Sequence, residues 1–334
     1  MARILLWGAV LAGVFWIHLA SHQNNAKFRI AVAVQGMTAE FMQLWVAAAR
    51  HHPAVLDGTV ALTIYDGKLD ALNQLNQMQT IVARKFDAVI FIPVDAQAGV
   101  AAAAQARTAG IPVLGSNTLV SDRRVYTAYI GSDDVLAGRM VANIVVGRMA
   151  GRGNVFIIQG PIGHSAEIQR QQGILQVLAA NPRIKLLAQR SANWSRSEAL
   201  SLMENWLTAY PGMIGGVIAQ NDEMALGALE ALKARDIDPR LVPVAGIDGV
   251  HDALVASAHG QMTTVLQDAT AQAQGSIDLA LARLIGKSYQ PRSDIWRRYH
   301  TQLNWDQGRG RNYMIPWTAI GREEALSLLA KQTR

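Results

Sequence analysis

From residue 28 onward, short apolar runs alternate with longer segments in which apolar residues recur at helical spacing. The short runs predict strands over 28–34, 60–64, 88–92, 113–115, 155–159, 185–190, 216–219 and 242–247. The amphipathic segments predict helices over 69–82, 97–109, 137–149, 166–178, 196–209, 223–234 and 269–284. Alternating strands and helices of this kind are typical of parallel sheets covered by helices on both faces.

The strand–helix pattern occurs twice, once before about residue 118 and again after about residue 152. This repetition predicts an α/β protein with two doubly wound parallel-sheet lobes. In such sheets ligands collect at the carboxyl ends of the strands. Those positions are rich in carboxylates and amides here, and arginine and aromatic residues occur near them. Carboxylates and amides bind paired hydroxyl groups, arginine donates to oxygen atoms, and aromatic faces pack against C–H surfaces, so the inventory favours a sugar or polyol over a reaction.

Composition and motif searches exclude several classes of function. The 334 residues are 50% hydrophobic and contain no cysteine, which predicts a large core without disulfides or thiolate sites. The net charge of +6 comes from interspersed basic and acidic residues, so no nucleic-acid partner is predicted. Segment 160–166 lacks the lysine and hydroxyl residue of a P-loop, and His164 beside Ser165 lacks a nucleophile-elbow pattern. We therefore predict no enzyme, no catalytic residue, no metal and no cofactor.

The N-terminal segment has the outline of a secretion signal. Arg3 precedes an apolar run over 4–20, which is only just long enough to span a bilayer. Cleavage after Ala20 would place His18 at a position where signal peptidase prefers a small residue. Segment 1–26 is therefore either a cleaved signal or an anchor in the inner membrane, and both alternatives predict that residue 27 onward is periplasmic.

Several separated motifs carry a family resemblance. They are AQNDEMALGALEAL at 219–232, GIDG at 246–249, YIGSDDVLAGRM at 129–140 and QGPIGHSAEIQRQQG at 159–173. Over 28–287 the chain resembles the periplasmic ribose-binding protein and its relatives. The resemblance implies the type I periplasmic-binding-protein fold, with two lobes joined by a three-segment hinge. It also implies that ligand binding closes the lobes and that an ABC importer recognises the closed form.

The same resemblance implies a division of the chain. Residues 27–117 and 268–289 would form the N-terminal lobe, and residues 118–267 and 291–320 the C-terminal lobe. A helix over 323–331 would follow, within a C-terminal helix and tail at 321–334. The expected partners are a carbohydrate or polyol and an ABC permease, with the protein acting as a monomer. The alternative is a membrane-tethered sensor that engages a histidine kinase or chemoreceptor. A repressor is excluded because an apolar segment, and no helix-turn-helix, precedes residue 28.

Ligand-binding residues follow from the resemblance position by position. The predicted set is Glu40, Phe41, Asp70, Asp95, Asn117, Arg170, Trp194, Asn221, Asp248 and Gln267. Structural roles compete with binding at four of these positions. Asp95 or Asn221 could cap the helix that follows it, Trp194 could be core, and Arg170 could form a structural ion pair.

Departures from the ribose-binder pattern predict a different ligand. Thr38, Glu40 and Phe41 stand where ribose binders have an asparagine and two adjacent aromatic residues, Asp70 replaces an asparagine, and Ile247 replaces an aromatic residue. Such a pocket would lose aromatic surface and gain negative charge, which is costly to bury without compensation. We therefore expect a ligand more polar than ribose, such as an amino sugar or another polyol with a cationic group.

Overall fold

Two lobes, each built on a mostly parallel sheet, form the protein in a computed structural model that describes residues 26–287, 304–305 and 312–332. The strands of the first sheet are β1 (Phe28–Val34), β2 (Val60–Asp66), β3 (Ala88–Phe91), β4 (Val113–Asn117), β5 (Ala128–Gly131), β11 (Asn304–Trp305) and β12 (Asn312–Met314), in the order β11-β12-β5-β4-β3-β1-β2. The helices of this lobe are α1 (Glu40–Arg50), α2 (Pro53–Leu56), α3 (Ala71–Ala83), α4 (Ala98–Thr108) and α10 (Ala269–Leu284).

The second lobe repeats this plan. Its strands are β6 (Gly153–Gln159), β7 (Ile184–Ser191), β8 (Gly216–Ala219), β9 (Val244–Asp248), β10 (Thr263–Leu266) and β13 (Thr318–Ile320), in the order β13-β10-β9-β8-β6-β7. Its helices are α5 (Asp134–Arg148), α6 (Ser165–Ala179), α7 (Arg196–Ala209), α8 (Asp222–Ala234), α9 (His251–Ala258) and α11 (Arg322–Gln332). Strand β13 runs antiparallel to β10, and the other pairs of this sheet are parallel.

Strand β1 shows why these apolar runs form buried strands. Alternate side chains of a strand point to opposite faces of the sheet. Ile30, Val32 and Val34 pack with helices α1 and α10 on one face, whereas Ala31 and Ala33 pack with α3 and α4 on the other. A strand that is apolar on both faces suits only a sheet covered on both sides. The predicted α/β class with two doubly wound lobes is confirmed.

The chain crosses between the lobes in three places. These crossings lie between β5 and α5 at 132–133, between β10 and α10 at 267–268, and between β12 and β13 at 315–317. Two of them are bonded to each other, because Trp317 Nε1 donates to the carbonyl oxygen of Asp133 at 2.7 Å. Gln272 Nε2, in the first turn of helix α10, donates to Ser132 Oγ at 3.3 Å and so connects the helix after the second crossing to the first crossing. The three segments together form the hinge.

The predicted lobe boundary at residue 117 is wrong. Strand β5 pairs with β4 in the first sheet, so the chain enters the second lobe only after Gly131. The segment assigned to the second lobe at 291–320 is also divided, because β11 and β12 lie in the first sheet and only β13 lies in the second. Strand β5 is four buried residues long, and such a short, wholly buried strand leaves no alternation in the sequence.

Other predictions fall at the ends of the chain. Helix α11 stands where the sequence predicts a helix over 323–331, and it packs against α9. Segments 1–25 and 288–303 lie outside the described residues. They contain nearly all of the predicted signal or anchor at 1–26 and the first part of the predicted segment 291–320. Among the helices that the structure describes, none is long and apolar enough to cross a membrane.

Candidate ligand site between the lobes

A cavity with about 350 Å³ of empty space lies between the lobes, at the carboxyl ends of both sheets. Part of this empty space is open to solvent. Its walls come from the loops after β1, β4, β8 and β9, from helices α1 and α6, from the loop before α7 and from the second crossing. The lining residues are Gln35, Ala39, Phe41, Met42, Asn117, His164, Ala166, Arg170, Trp194, Asn221, Asp248 and Gln267.

Arg170 is held firmly at the wall of the second lobe. Helices α5 and α6 approach so closely that a Cβ atom at Gly138 would lie 2.0 Å from the carbonyl oxygen of Arg170. This approach brings Asp134 to Arg170, whose Nε donates to Asp134 Oδ1 at 2.8 Å. Arg170 Nη1 donates to the carbonyl oxygen of Gln220 at 2.5 Å. In the described part of the chain, Nη2 has no partner, so Arg170 forms a structural ion pair and still keeps a donor for the cavity.

Aromatic rings enclose the same guanidinium. Its central carbon lies 5.7 Å from the ring centre of Trp194 and 5.5 Å from that of Trp317. Trp194 packs close to the backbone because Gly160 leaves room; a Cβ there would lie 2.1 Å from the indole. Trp194 belongs to the core of the second lobe and also lines the cavity, so both predicted roles apply to it. The two tryptophan rings restrict the orientation of the Arg170 guanidinium group.

Asp248 supplies a buried carboxylate to the cavity. The residue is 7% exposed, and no hydrogen bond or ion pair of its side chain occurs within the described residues. Burial raises the pKa of Asp248 well above its ordinary value, and the nearby charge of Arg170 opposes this rise. The loop after Asp248 is tied down because Asp222 accepts from the N–H groups of Gly249 at 2.7 Å and Val250 at 3.1 Å.

Further polar atoms face the cavity without a partner. Both side-chain polar atoms of Gln267 and Trp194 Nε1 are buried and unpaired within the described part of the chain. Asn221 caps α8, since its Oδ1 accepts from the N–H of Met224 at 3.0 Å, and its Nδ2 stays available. Buried polar groups are nearly always hydrogen-bonded in proteins. These atoms therefore indicate that a polar ligand completes the site.

Three residues that line the cavity have unusual backbone conformations. Asn117, Trp194 and Asp248 are non-glycine residues with positive φ angles of 59°, 63° and 134°. Asparagine tolerates the left-handed region, but the conformations of tryptophan and aspartate there cost energy. Such strain persists where surrounding structure enforces it, and it is concentrated at ligand sites.

Three of the predicted binding residues lie outside the cavity. Asp70 is exposed and caps α3, with its Oδ1 accepting from the N–H groups of Leu72 and Asn73 at 2.8 and 3.1 Å. Asp95 caps α4 in the same way, accepting from Gln97 at 2.8 Å and Ala98 at 2.7 Å. Both carboxylates act as helix caps, and a direct ligand contact for either stays a prediction. Each carboxylate follows a strand, but a helix begins immediately after it, and capping satisfies the first N–H groups of that helix.

Glu40 is the third predicted residue outside the cavity. Its Oε1 accepts from the N–H of His251 at 3.2 Å and joins the two lobes. With Glu40, Asp70 and Asp95 elsewhere, the charge argument for a cationic ligand rests on Asp248 alone. Ile247 also has no effect on the cavity surface, because its side chain is fully buried in the core of the second lobe.

The other seven predicted residues meet at the cavity. They are Phe41, Asn117, Arg170, Trp194, Asn221, Asp248 and Gln267. Five further lining residues were not predicted, namely Gln35, Ala39, Met42, His164 and Ala166. Gln35 directly follows the first strand, which is the signal that could have found it. His164 was tested in the sequence only against the pattern around a catalytic nucleophile.

Comparison with known proteins identifies the family. A model described as "Periplasmic binding protein domain" matches residues 30–288. This chain belongs to the periplasmic binding protein family. The match covers both lobes and the second crossing. It confirms the resemblance found in the sequence.

Individual relatives of this periplasmic binding protein are binding proteins. A Rhizobium meliloti protein named for rhizopine binding is 35% identical over 309 residues, covering 90% of this chain and 98% of that protein. A xylitol-binding protein of Mycolicibacterium smegmatis is 39% identical over 219 residues, covering 65% of this chain and 62% of that protein. The second match thus spans less than two thirds of the relative's length.

Solved structures show the same fold. An ABC transporter solute binding protein from Bacillus halodurans C-125, with bound myo-inositol, matches with a TM-score of 0.80 and 29% identity. The match covers 92% of this chain and 98% of that chain. These matches confirm the type I periplasmic-binding-protein fold. The relatives named here are binding proteins, and this confirms the prediction of a binding protein rather than an enzyme.

Proposed function

We propose that this protein captures a polyol or sugar between its two lobes and presents it to an ABC-type importer. The observation that carries the proposal is the set of unpaired polar atoms facing one buried cavity. Gln267 and Asp248 supply acceptors, while Arg170 Nη2, Asn221 Nδ2 and Trp194 Nε1 supply donors. A ligand rich in hydroxyl groups both donates and accepts at each oxygen, so it can pair with all of them.

The lining of the cavity suits a ligand that is polar and also has C–H surface. Phe41 and Trp194 are aromatic side chains of the lining, and Met42 and Ala39 are aliphatic ones. The similar proteins named for xylitol and crystallised with myo-inositol point to the same class. We therefore propose an acyclic polyol or a cyclitol as the ligand.

Import is the role that the relatives favour. Similar proteins include the ribose import binding protein of Escherichia coli, which is 34% identical over 206 residues. The relatives named above are binding proteins, and none of their names refers to sensing. We infer that an ABC permease recognises the closed lobes, and that the protein acts in the periplasm as a monomer.

A thermal-shift screen tests the proposed ligand class. The panel contains xylitol, ribitol, myo-inositol, D-ribose and glucosamine, each at saturating concentration. A ligand that binds only the folded state stabilises it by about 2.7 kcal/mol at a hundred times its Kd, which raises the melting temperature by several degrees. We expect shifts with xylitol or myo-inositol. The absence of a shift with every member would falsify the proposal, and a preference for glucosamine would restore the cationic ligand.

A further inference from the structure

The segment 163–165 is the main polar contact between the lobes. Ala96 of the first lobe donates its N–H to the carbonyl oxygen of Gly163 at 3.0 Å, and the N–H of Leu119 donates to Ser165 Oγ at 2.7 Å. Between them, the ring of His164 bonds to the side-chain oxygen of Gln35, which follows β1. His164 and Gln35 are both nearly fully buried and both line the ligand cavity.

The ring of His164 is held in one protonation state. Its Nδ1 accepts from the N–H of Ala166 at 3.3 Å and caps helix α6. Nε2 therefore carries the proton of the neutral ring and donates it to Gln35 Oε1. The ring also stands edge-on to Trp194, with 5.3 Å between the ring centres. A second proton on Nδ1 would break the cap and place a positive charge at the N-terminus of a helix.

We propose that His164 and Gln35 form a latch that holds the lobes closed around the ligand, and that only the neutral form of His164 can close it. This inference rests on the proposed function, because the latch acts on ligand affinity. His164 and Gln35 line the cavity from opposite lobes, and in this proposal their contact sets the affinity for the ligand. Acidification would then release the ligand.

Charged groups around His164 oppose its protonation in the closed form. Arg170 lies two turns along the same helix and faces the same cavity, and burial together with the Arg170 charge lowers the pKa of His164 to about 3. The carboxylates nearby are otherwise engaged or distant. Glu167 on the same helix accepts from Gln159 Nε2 at 3.0 Å, and Asp95 of the facing lobe caps α4 beside Gly163. Asp248 also lines the cavity, and there its carboxyl group interacts with the charge of Arg170.

The sign of the effect follows from these contacts. Opening the cleft exposes the end of α6, so the pKa of His164 returns toward the ordinary histidine value of about 6.5. The closed form thus binds fewer protons than the open form. The affinity for ligand has its full value when the pH is above the open-state pKa of His164. It falls as the pH drops below that pKa, by about tenfold at one pH unit below.

The first test measures ligand affinity by calorimetry at about pH 8 and about pH 5.5. The probe is xylitol or myo-inositol, whichever gives the larger melting shift. Wild type should bind about tenfold more weakly at the acidic pH. His164→Asn keeps a capping side chain but lacks the titrating ring, so its affinity should depend on pH much less than that of wild type. His51→Asn, at an exposed histidine after α1, should retain the wild-type dependence.

A double-mutant cycle tests the latch itself. Gln35→Ala should weaken binding at about pH 8 in the wild-type background and have a much smaller effect in the His164→Asn background. Additive effects of the two substitutions, or an unchanged pH dependence in His164→Asn, would overturn the proposal. A residue that served only as a helix cap would show no coupling to Gln35.

A measurement without ligand separates this inference from the proposed function. Hydrogen exchange of the Ala96 and Leu119 amides reports lobe contact directly, because both amides donate across the cleft. After correction for the intrinsic pH dependence of exchange, their protection should fall on acidification in wild type and stay constant in His164→Asn. Equal protection at both pH values in wild type would refute the latch, whatever the ligand screen shows.

Discussion

The two walls of the cavity differ in chemistry. The first lobe contributes Phe41, Met42 and Ala39 with the polar side chains Gln35 and Asn117, and it contributes no charged residue to the lining. The second lobe contributes both charged side chains, Arg170 and Asp248, together with Asn221, Trp194 and His164. From this difference we propose that the second lobe orients the ligand by hydrogen bonds, and that the first lobe covers it with apolar surface that excludes water.

Pre-organisation follows the same division. In the second lobe, Arg170 is fixed by Asp134, by Gln220 and by two tryptophan rings, and Asp248 sits in a strained backbone conformation. Rigid polar groups bind with less loss of entropy than mobile ones. The first lobe instead carries the side chains that the hinge brings over the ligand.

Replacing Asp248 by asparagine should harm binding most. A hydrogen bond to a charged acceptor contributes about 1.5–3 kcal/mol, so loss of the charge should weaken polyol affinity by about a hundredfold. The free protein should melt at a higher temperature, because burial makes the charge of Asp248 unfavourable. Calorimetry and thermal unfolding measure the two changes. Asp236→Asn, at an exposed position with positive φ, is the matched control and should alter neither quantity.

Removing the carboxylate of Asp222 should destabilise the loop behind Asp248. Asp222→Ala leaves the N–H group of Val250 and the hydroxyl group of Thr264 without their acceptor, and each buried unpaired group costs about 1–3 kcal/mol. We expect a loss of about 2 kcal/mol or more in the free energy of unfolding, with weaker ligand binding. Asp222→Asn keeps an acceptor and should lose less. Equal stability of the alanine variant and wild type in denaturant unfolding would contradict this role.

Asp222 should also make stability depend on pH. Burial raises the pKa of Asp222 to about 7, against about 3.9 in the unfolded chain. The folded state then binds the proton more tightly, so the contribution of this group to stability falls as the pH rises from about 4 to about 7. Denaturant unfolding across this range should show a smaller decline for Asp222→Asn than for wild type.

A change in the first lobe should have a smaller effect on binding. Phe41→Leu keeps an apolar side chain and removes the aromatic face, which contributes about 0.5–1.5 kcal/mol beyond its area. We expect an affinity loss of about fivefold. Phe28→Leu, at the far end of β1, controls for the loss of an aromatic residue from the same lobe. If Phe41→Leu weakens ligand binding as much as Asp248→Asn does, the proposed difference between the two walls is wrong.

Asp70 should affect stability alone. Its carboxylate caps α3 and lies outside the cavity, so Asp70→Ala should cost about 1 kcal/mol of folding stability. Ligand affinity should stay within about twofold of wild type. Asp70→Asn retains a capping oxygen and should lose less stability. A marked change in affinity would return Asp70 to the set of binding residues.

Much of the fold could be predicted because its elements are long and strongly periodic. The β1 prediction over 28–34 matches the observed strand, since an apolar run of that length between polar segments has few alternatives. Strand β5 was missed because it is short and buried on both faces, and the lobe boundary was misplaced with it. Pairing between distant segments, such as β12 with β5, leaves no local pattern to detect.

The site could be predicted in part, because strand ends are its natural location. Arg170, Asn221 and Asp248 were found in this way, and each lines the cavity. Asp70 and Asp95 follow strands as well, yet their carboxylates turn to the helix that begins beside them. Whether such a carboxylate faces the cleft or the helix depends on backbone direction, which residue type does not reveal.

The amino-acid sequence by itself determined the class of this protein: two α/β lobes, polar residues at the strand ends, and motifs that place it among periplasmic binding proteins. Those features reside in local periodicity and in short contiguous segments. Only the tertiary structure decided which polar groups share the cavity and which cap helices, and it alone brought His164 to Gln35 from the opposite lobe. The physical reason is that a binding site is set by long-range packing and burial, and these depend on all the residues that surround it.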